Sequence, residues 1–156
     1  MRQATLFLLI DKHDNKILLG MKKKGFGAGK FNGFGGKVEA GEDVKSAAIR
    51  ELREESSILV EPQDTIKVAE LDFLFPHQED WNQTVHIFVS HRWNGNPVES
   101  DEMVPKWFSL SEIPFDKMWP DDKHWLPKVL SGEKVHGSFT FGRDDGVILG
   151  LKLEKF

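Results

Sequence analysis

Glu51, Glu54 and Glu55 crowd three carboxylates into a single helical segment, and this cluster restricts the possible folds more than any other feature of the chain. Drawn at about 100° per residue, residues 43–56 put Val44, Ala47, Ala48 and Leu52 on one side. The three glutamates fall among these small and apolar residues, while Lys45, Ser46, Arg50 and Arg53 lie around the opposite side. Carboxylates on an inward face are costly, because burial and mutual repulsion both oppose ionisation. A multivalent cation removes both objections, and hard carboxylate oxygens suit Mg²⁺ or Mn²⁺. The plainer reading of an acidic run is a solvated face with i,i+4 pairs such as Arg50 with Glu54. The small-residue side argues against it, so the helix reads as a metal platform.

Composition narrows what such a platform serves. A chain of 156 residues fits one domain, residues 1–156, around a single core. A net charge of −4 speaks against nucleic-acid polymers as the main partner, since those demand a basic surface. It leaves room for a small phosphorylated ligand held by a local basic loop. No stretch reaches the length of a membrane span, and the apolar run ending at Ile10 is too short for a signal sequence. The lack of cysteine excludes disulfides, zinc–thiolate sites and thiol nucleophiles. A cytoplasmic compartment is expected, with nuclear and mitochondrial pools left open.

Along the chain, residues 5–10 form a continuous apolar run, as in a strand covered on both faces, and residues 17–21 return as a second strand. A loop is expected over residues 22–41, dense in glycine and carrying Lys22, Lys23, Lys24, Lys30 and Lys37. Glycines let a backbone approach a ligand closely, and the loop runs straight into the acidic helix, whose free N–H groups suit phosphate. Residues 66–75, 84–92 and 104–110 read as strands, with a break at Asn94-Gly95-Asn96-Pro97 after the second. Residues 120–130 read as a second helix, short or kinked at Pro127. Residues 135–141 and 147–153 alternate around Arg143-Asp144-Asp145-Gly146, a hairpin signal. The order is that of one α+β domain.

From Gly36 to Ile58 the chain reads GKVEAGEDVKSAAIRELREESSI. This resembles the Nudix box, in which a glycine, a glutamate and an Arg-Glu-aliphatic-x-Glu-Glu-x-Gly-aliphatic run follow at fixed spacing. Gly36, Glu42, Arg50, Glu51, Leu52, Glu54, Glu55 and Ile58 match, while Ser57 stands where the pattern has glycine. That departure touches the exit of the helix and is expected to cost about 1 kcal/mol if φ is positive there. The resemblance implies a Nudix fold, a mixed β-sheet sandwiched between helices with a loop–helix–loop catalytic motif. It also implies hydrolysis of a nucleoside diphosphate linked to another group, with Mg²⁺ or, in its place, Mn²⁺. By that likeness Glu51, Glu54, Glu55 and the Gly35 carbonyl hold metal, Arg50 orients the glutamates, and Glu42 assists. Glu102, in the stretch Glu99-Ser100-Asp101-Glu102, is the expected outlying carboxylate and metal ligand. Either Glu55 or Glu102 takes the proton of the attacking water.

Three further segments resemble one branch of that family, the MutT homologues that hydrolyse oxidised purine nucleoside triphosphates. They are LLGMKKKGFGAGKFNGFGGKVEAGE, PVESDEM and MWPDD, beginning at Leu18, Pro97 and Met118. The branch implies turnover of triphosphates such as 8-oxo-dGTP and 2-hydroxy-dATP to monophosphate and pyrophosphate, which sanitises the nucleotide pool. A monomer is the simplest expectation. Carried over by position, Trp119 stacks on the base, Asn32 reads a base edge, and Asp121 and Asp122 share a proton to form a donor–acceptor pair. Phe26 and Phe73 are expected pocket walls, Thr5 and Lys22 lie near the base or sugar-phosphate, and Phe34, Gly35, Gly36, Lys37 and Pro120 complete the substrate-binding set. Without the likeness, Trp119, Phe26 and Phe73 read as core aromatics, Asp121 and Asp122 as helix-start acids, and Asn32 as a turn residue. Two other functions stay open: the same chemistry on a nucleotide sugar, dinucleotide polyphosphate or capped RNA, and a nucleotide-binding module without turnover.

Overall fold

The computed structural model describes residues 1–144 and 146–156. Strands β1 (Arg2–Asp11) and β2 (Lys16–Lys22) are followed by the short β3 (Phe31–Asn32) and helix α1 (Val44–Ser56). Then come β4 (Ile66–Leu74), β5 (Gln83–Ser90), β6 (Met103–Ser109), helix α2 (Asp122–Leu130), β7 (Val135–Phe141) and β8 (Ile148–Lys155). The described strands form one sheet ordered β3-β2-β1-β5-β4-β7-β8, with β6 pairing β2 off that path. Parallel pairing of β1 with β5 and of β4 with β7 makes the sheet mixed.

Alternation along β1 explains its continuous apolar run, because each face of the sheet carries its own core. Phe7 and Leu9 join Leu18, Ala48, Leu52 and Phe88 beneath α1. Leu8 and Ile10 join Leu71, Ile87, Trp125, Leu126 and Phe139 beneath α2. The sheet is thus sandwiched between the two helices, as the α+β reading requires.

Local signals fix the ends of α1. Asp43 caps the start by accepting from the Ser46 N–H at 2.8 Å. At the other end Ser57 adopts φ 67° and donates its N–H to Arg53 O at 2.9 Å, so the position does demand the left-handed conformation. Helix α2 is short and keeps Pro127 within it.

The expected loop 22–41 is more ordered than its glycines suggest. Residues 33–37 run antiparallel beside β1, with Phe7 N–H to Phe34 O at 2.6 Å and Thr5 N–H to Gly36 O at 2.9 Å. A side chain on Gly35 would collide with the Thr5 carbonyl, so its lack of a Cβ is what admits the segment to the sheet. Single 3-10 turns at Pro62–Asp64, Glu79–Trp81 and Phe115–Lys117 carry no periodic signal in the sequence. Strands β7 and β8 pair antiparallel as the hairpin signal requires, although Asp145 of that signal lies outside the described residues. Among the described residues no helix is long and apolar enough to cross a membrane.

Candidate active site

The acid cluster is sorted by depth. Glu55 is buried, Glu51 is half-buried, and Glu54 is exposed, its side chain retaining 52% of its accessible surface. The inward reading of all three glutamates therefore needs correcting at Glu54, which sits at the edge of the face beside Arg50. Arg50 is corrected too, since it does not lie on an outer face. Its guanidinium folds back to grip Glu42 at 2.7 and 3.0 Å, Glu51 at 3.1 Å, Glu54 at 3.2 Å and the Lys37 carbonyl at 3.2 Å. A planar fork can hold several acceptors at fixed angles, which an ammonium cannot do. Arg50 in turn holds the Glu42 carboxyl below its ordinary range through these hydrogen bonds.

Burial pushes the Glu55 carboxyl up to about 8, and the Glu51 and Glu102 charges add to the effect. The Gly35 N–H, donating to Glu55 Oε1 at 2.8 Å, opposes it. Burial likewise raises Glu51, against the pull of Arg50. Glu102 thus joins the α1 acids although β6 and its preceding turn carry it. The Ser100 hydroxyl accepts from the Glu102 and Met103 N–H groups at 3.3 and 3.1 Å, which folds that turn toward the cluster. Gly36 leaves the space occupied by the Glu51 carboxylate, because a Cβ there would lie 2.6 Å from it.

Burial first, and then the neighbouring Glu51 and Glu102 charges, favour the protonated form of Glu55, and these hard oxygens are the donor set that a divalent cation suits. Among the described residues no three acidic or histidine side chains converge on one point as a formed metal site would. Glu51 and Glu54 are instead turned to the Arg50 guanidinium. The donors are adjacent and of the right chemistry, so the residues fit the ion.

One cavity of about 930 Å³ runs from these acids to the start of α2. Thr5, Lys22, Phe26, Asn32, Gly35, Gly36, Lys37, Phe73, Trp119, Asp121 and Asp122 all line it, together with Glu51, Glu54, Glu55 and Glu102. Two expected substrate contacts do not. Phe34 is fully buried beneath α1, because antiparallel pairing with Phe7 turns its side chain to that core. Pro120 instead shapes the turn closed by the Asp122 N–H to Trp119 O bond at 3.1 Å, a position that suits its fixed φ.

Trp119 packs its ring 4.9 Å from Phe26, and Lys30 Nζ stands 5.4 Å over it. Asn32 Oδ1 accepts from the Gly33 N–H at 2.9 Å, which leaves the amide donors free. Asp121 and Asp122 are both buried, and burial raises both carboxyls, Asp122 further because of the Asp121 charge beside it. Trp125 Nε1 donates to Asp121 Oδ2 at 2.8 Å, whereas Asp122 Oδ2 is buried without a hydrogen-bond partner. The sequence reading missed Trp125, although its i,i+4 spacing from Asp121 on a helix was a usable signal. It also missed Phe75 and Phe141, which stack at 4.9 Å in the cavity wall, and Gln83, for which no local pattern pointed inward.

A mixed sheet between two helices, with a carboxylate-bearing helix at one end of a deep cavity, defines a hydrolase of the Nudix type. A model of the NUDIX domain matches residues 1–129, and the chain belongs to that family. It is 45% identical over 155 residues to the oxidized purine nucleoside triphosphate hydrolase of Mus musculus, covering 99% of this chain and 95% of that one. The protein of the same description from Danio rerio is 46% identical over 152 residues, covering 97% and 93% of the two chains. The crystal structure of a MutT protein from Bacillus halodurans superposes with a TM-score of 0.81 at 21% identity, covering 99% of this chain and 98% of that one, a likeness of fold. Nudix hydrolases as a class require a divalent metal ion.

Proposed function

We propose that the protein hydrolyses oxidised purine nucleoside triphosphates, 8-oxo-dGTP and 2-hydroxy-dATP among them, to the monophosphate and pyrophosphate. The observation that carries this reading is the buried Asp121–Asp122 pair. Asp122 Oδ2 lacks a partner in the wall of the same cavity whose far end holds Glu55. A buried polar atom left unpaired is costly unless a ligand completes it. The mouse and zebrafish relatives carry the corresponding activity in their names.

The base end works through complementary carboxyls. Trp125 supplies a donor to Asp121, so Asp121 is the charged acceptor and Asp122 retains the proton as a donor. Returning that proton to Asp121 lets the same pair meet a purine edge with the opposite pattern, which accommodates more than one oxidised base. Asn32 adds its free amide donors, and Trp119 offers a stacking face. Toward the phosphate end, Lys22 and Lys37 bring positive charge to the wall.

At the acid end Arg50 holds Glu51 and Glu54, and the Gly35 N–H fixes one oxygen of Glu55. Glu102, or Glu55 in its ionised form, accepts the proton of the attacking water. Mg²⁺, with Mn²⁺ as a substitute, would be held by Glu51, Glu54, Glu55 and Glu102 with the Gly35 carbonyl, and would neutralise the polyphosphate and acidify a water. We read residues 1–156 as one domain that acts as a monomer on a cytoplasmic nucleotide pool. A panel of normal and oxidised triphosphates with product analysis tests the proposal. Preference for the oxidised purines, with pyrophosphate released, is expected; equal or faster turnover of undamaged triphosphates overturns it.

A further inference from the structure

Among the described residues the cavity's strand lining carries four polar side chains, Thr5, Lys22, Asn32 and Gln83, and of these only Gln83 lies on β4 or β5. Parallel pairing sets Ala4 beside Val85, and antiparallel pairing sets Phe73 beside Gln83. Side chains two apart on a strand share a face, so Gln83 and Val85 both point to the cavity that all four of these residues line. Gln83 thus brings a carboxamide beside the apolar side chains of Ala4, Phe73 and Val85. On the opposite face, neighbouring polar groups are matched: Thr84 Oγ1 donates to Asp72 at 2.6 Å, and His86 Nε2 meets Gln3 Oε1 at 2.6 Å. The Gln83 amide has no hydrogen bond to any described side chain, although it sits in a partly enclosed wall.

We propose that Gln83 is a specificity-determining residue whose amide hydrogen-bonds a polar substituent of the bound purine. The proposal rests on the purine reading of this cavity. Asp121 offers an acceptor, Asp122 a donor, and Asn32 two amide donors beside a carbonyl that already accepts from Gly33. An amide offers both a donor and an acceptor. Gln83 therefore serves an exocyclic carbonyl or amino group on a flank those three do not floor, and it serves neither C–H nor methyl.

The test is Gln83→Met, an unbranched replacement of similar length that removes the polar end. Parent and variant are compared on purine triphosphates paired by a single substituent, with and without a polar group at C2, C6 or C8. Thermal melting of both proteins checks that the fold is retained. The variant should lose about tenfold in kcat/KM on triphosphates polar at one ring position and keep its rate on their unsubstituted partners. A uniform loss on every purine, or no loss on any, overturns the proposal. The parent's own preferences test the purine reading separately: a parent indifferent to purine oxidation sinks that reading, while the variant-to-parent ratios still report on Gln83.

Discussion

Trp125 Nε1 donates to Asp121 Oδ2 at 2.8 Å, and that bond makes unlike partners of two adjacent buried acids. Asp121 gains a fixed donor that favours its charged form, while Asp122 meets both burial and the neighbouring charge. Both effects favour the proton on Asp122, whose Oδ2 is buried without a hydrogen-bond partner among the described residues. Asp122→Asn keeps a neutral donor there but cannot release a proton to change the pattern. The ratio of kcat/KM values between two oxidised purines should move by about tenfold, with metal dependence unaltered. Identical ratios in parent and variant would contradict the assignment.

Glu55 makes stability depend on pH with a definite sign. Burial raises its folded-state pKa from the ordinary 4.5 to about 8, so the native protein holds a proton that the unfolded chain has released. Stability supported in this way is complete below the unfolded value and declines as pH rises toward about 8. In chelator, denaturant unfolding should therefore show a loss on the order of 5 kcal/mol between those limits. Glu55→Gln carries no ionisable group and should flatten most of that slope while abolishing most turnover. An equally steep pH dependence in the variant would show that the slope originates elsewhere.

Gly35 and Gly36 are adjacent, but their missing side chains guard different things. A Cβ on Gly35 would strike the Thr5 carbonyl, which is backbone of a central strand and has nowhere to go. Gly35→Ala should cost about 3 kcal/mol in unfolding free energy. A Cβ on Gly36 would instead lie 2.6 Å from the Glu51 carboxylate, a side chain that can swing aside. Gly36→Ala should change stability by less than about 1 kcal/mol yet lower kcat about a hundredfold, because it displaces a carboxylate of the acid cluster. Unfolding curves and steady-state rates on the two variants separate the roles, and matching losses of activity and stability in both would refute the distinction.

What was legible in the sequence follows from how local each cause is. The helical period around Ala47, Ala48 and Leu52 announced α1, and the unbroken apolar run in β1 announced a strand covered on both faces. The acid cluster was readable because residues four apart on one helix are neighbours whatever surrounds them. Glu54 and Arg50 were misjudged because a helical wheel cannot say how far a neighbouring loop reaches. The Lys37 carbonyl and Glu42 draw Arg50 inward from outside the helix. Phe34 was misassigned for a related reason, since its side chain follows its pairing with Phe7, far away in the chain. Trp81, whose ring lies 4.9 Å from Phe26, belongs to a loop that meets the glycine loop only in the folded state.

Ser57 occupies the position where the Nudix box has glycine, and its φ of 67° places an L-residue in the left-handed region. The strain is local: the N–H still closes the helix through Arg53 O at 2.9 Å, and Ser57 itself is exposed. Nothing there touches the cavity wall, so relieving the strain should leave the chemistry alone. Ser57→Gly removes the Cβ clash, at the expense of some added freedom in the unfolded chain. The balance should favour the variant by about 1 kcal/mol, which for a chain of this size raises Tm by roughly 2–4 °C. Thermal unfolding with kcat measured alongside decides the matter. A lower Tm would mean that the serine hydroxyl contributes more than the backbone costs, and altered kcat would mean that the helix exit positions Glu54 and Glu55.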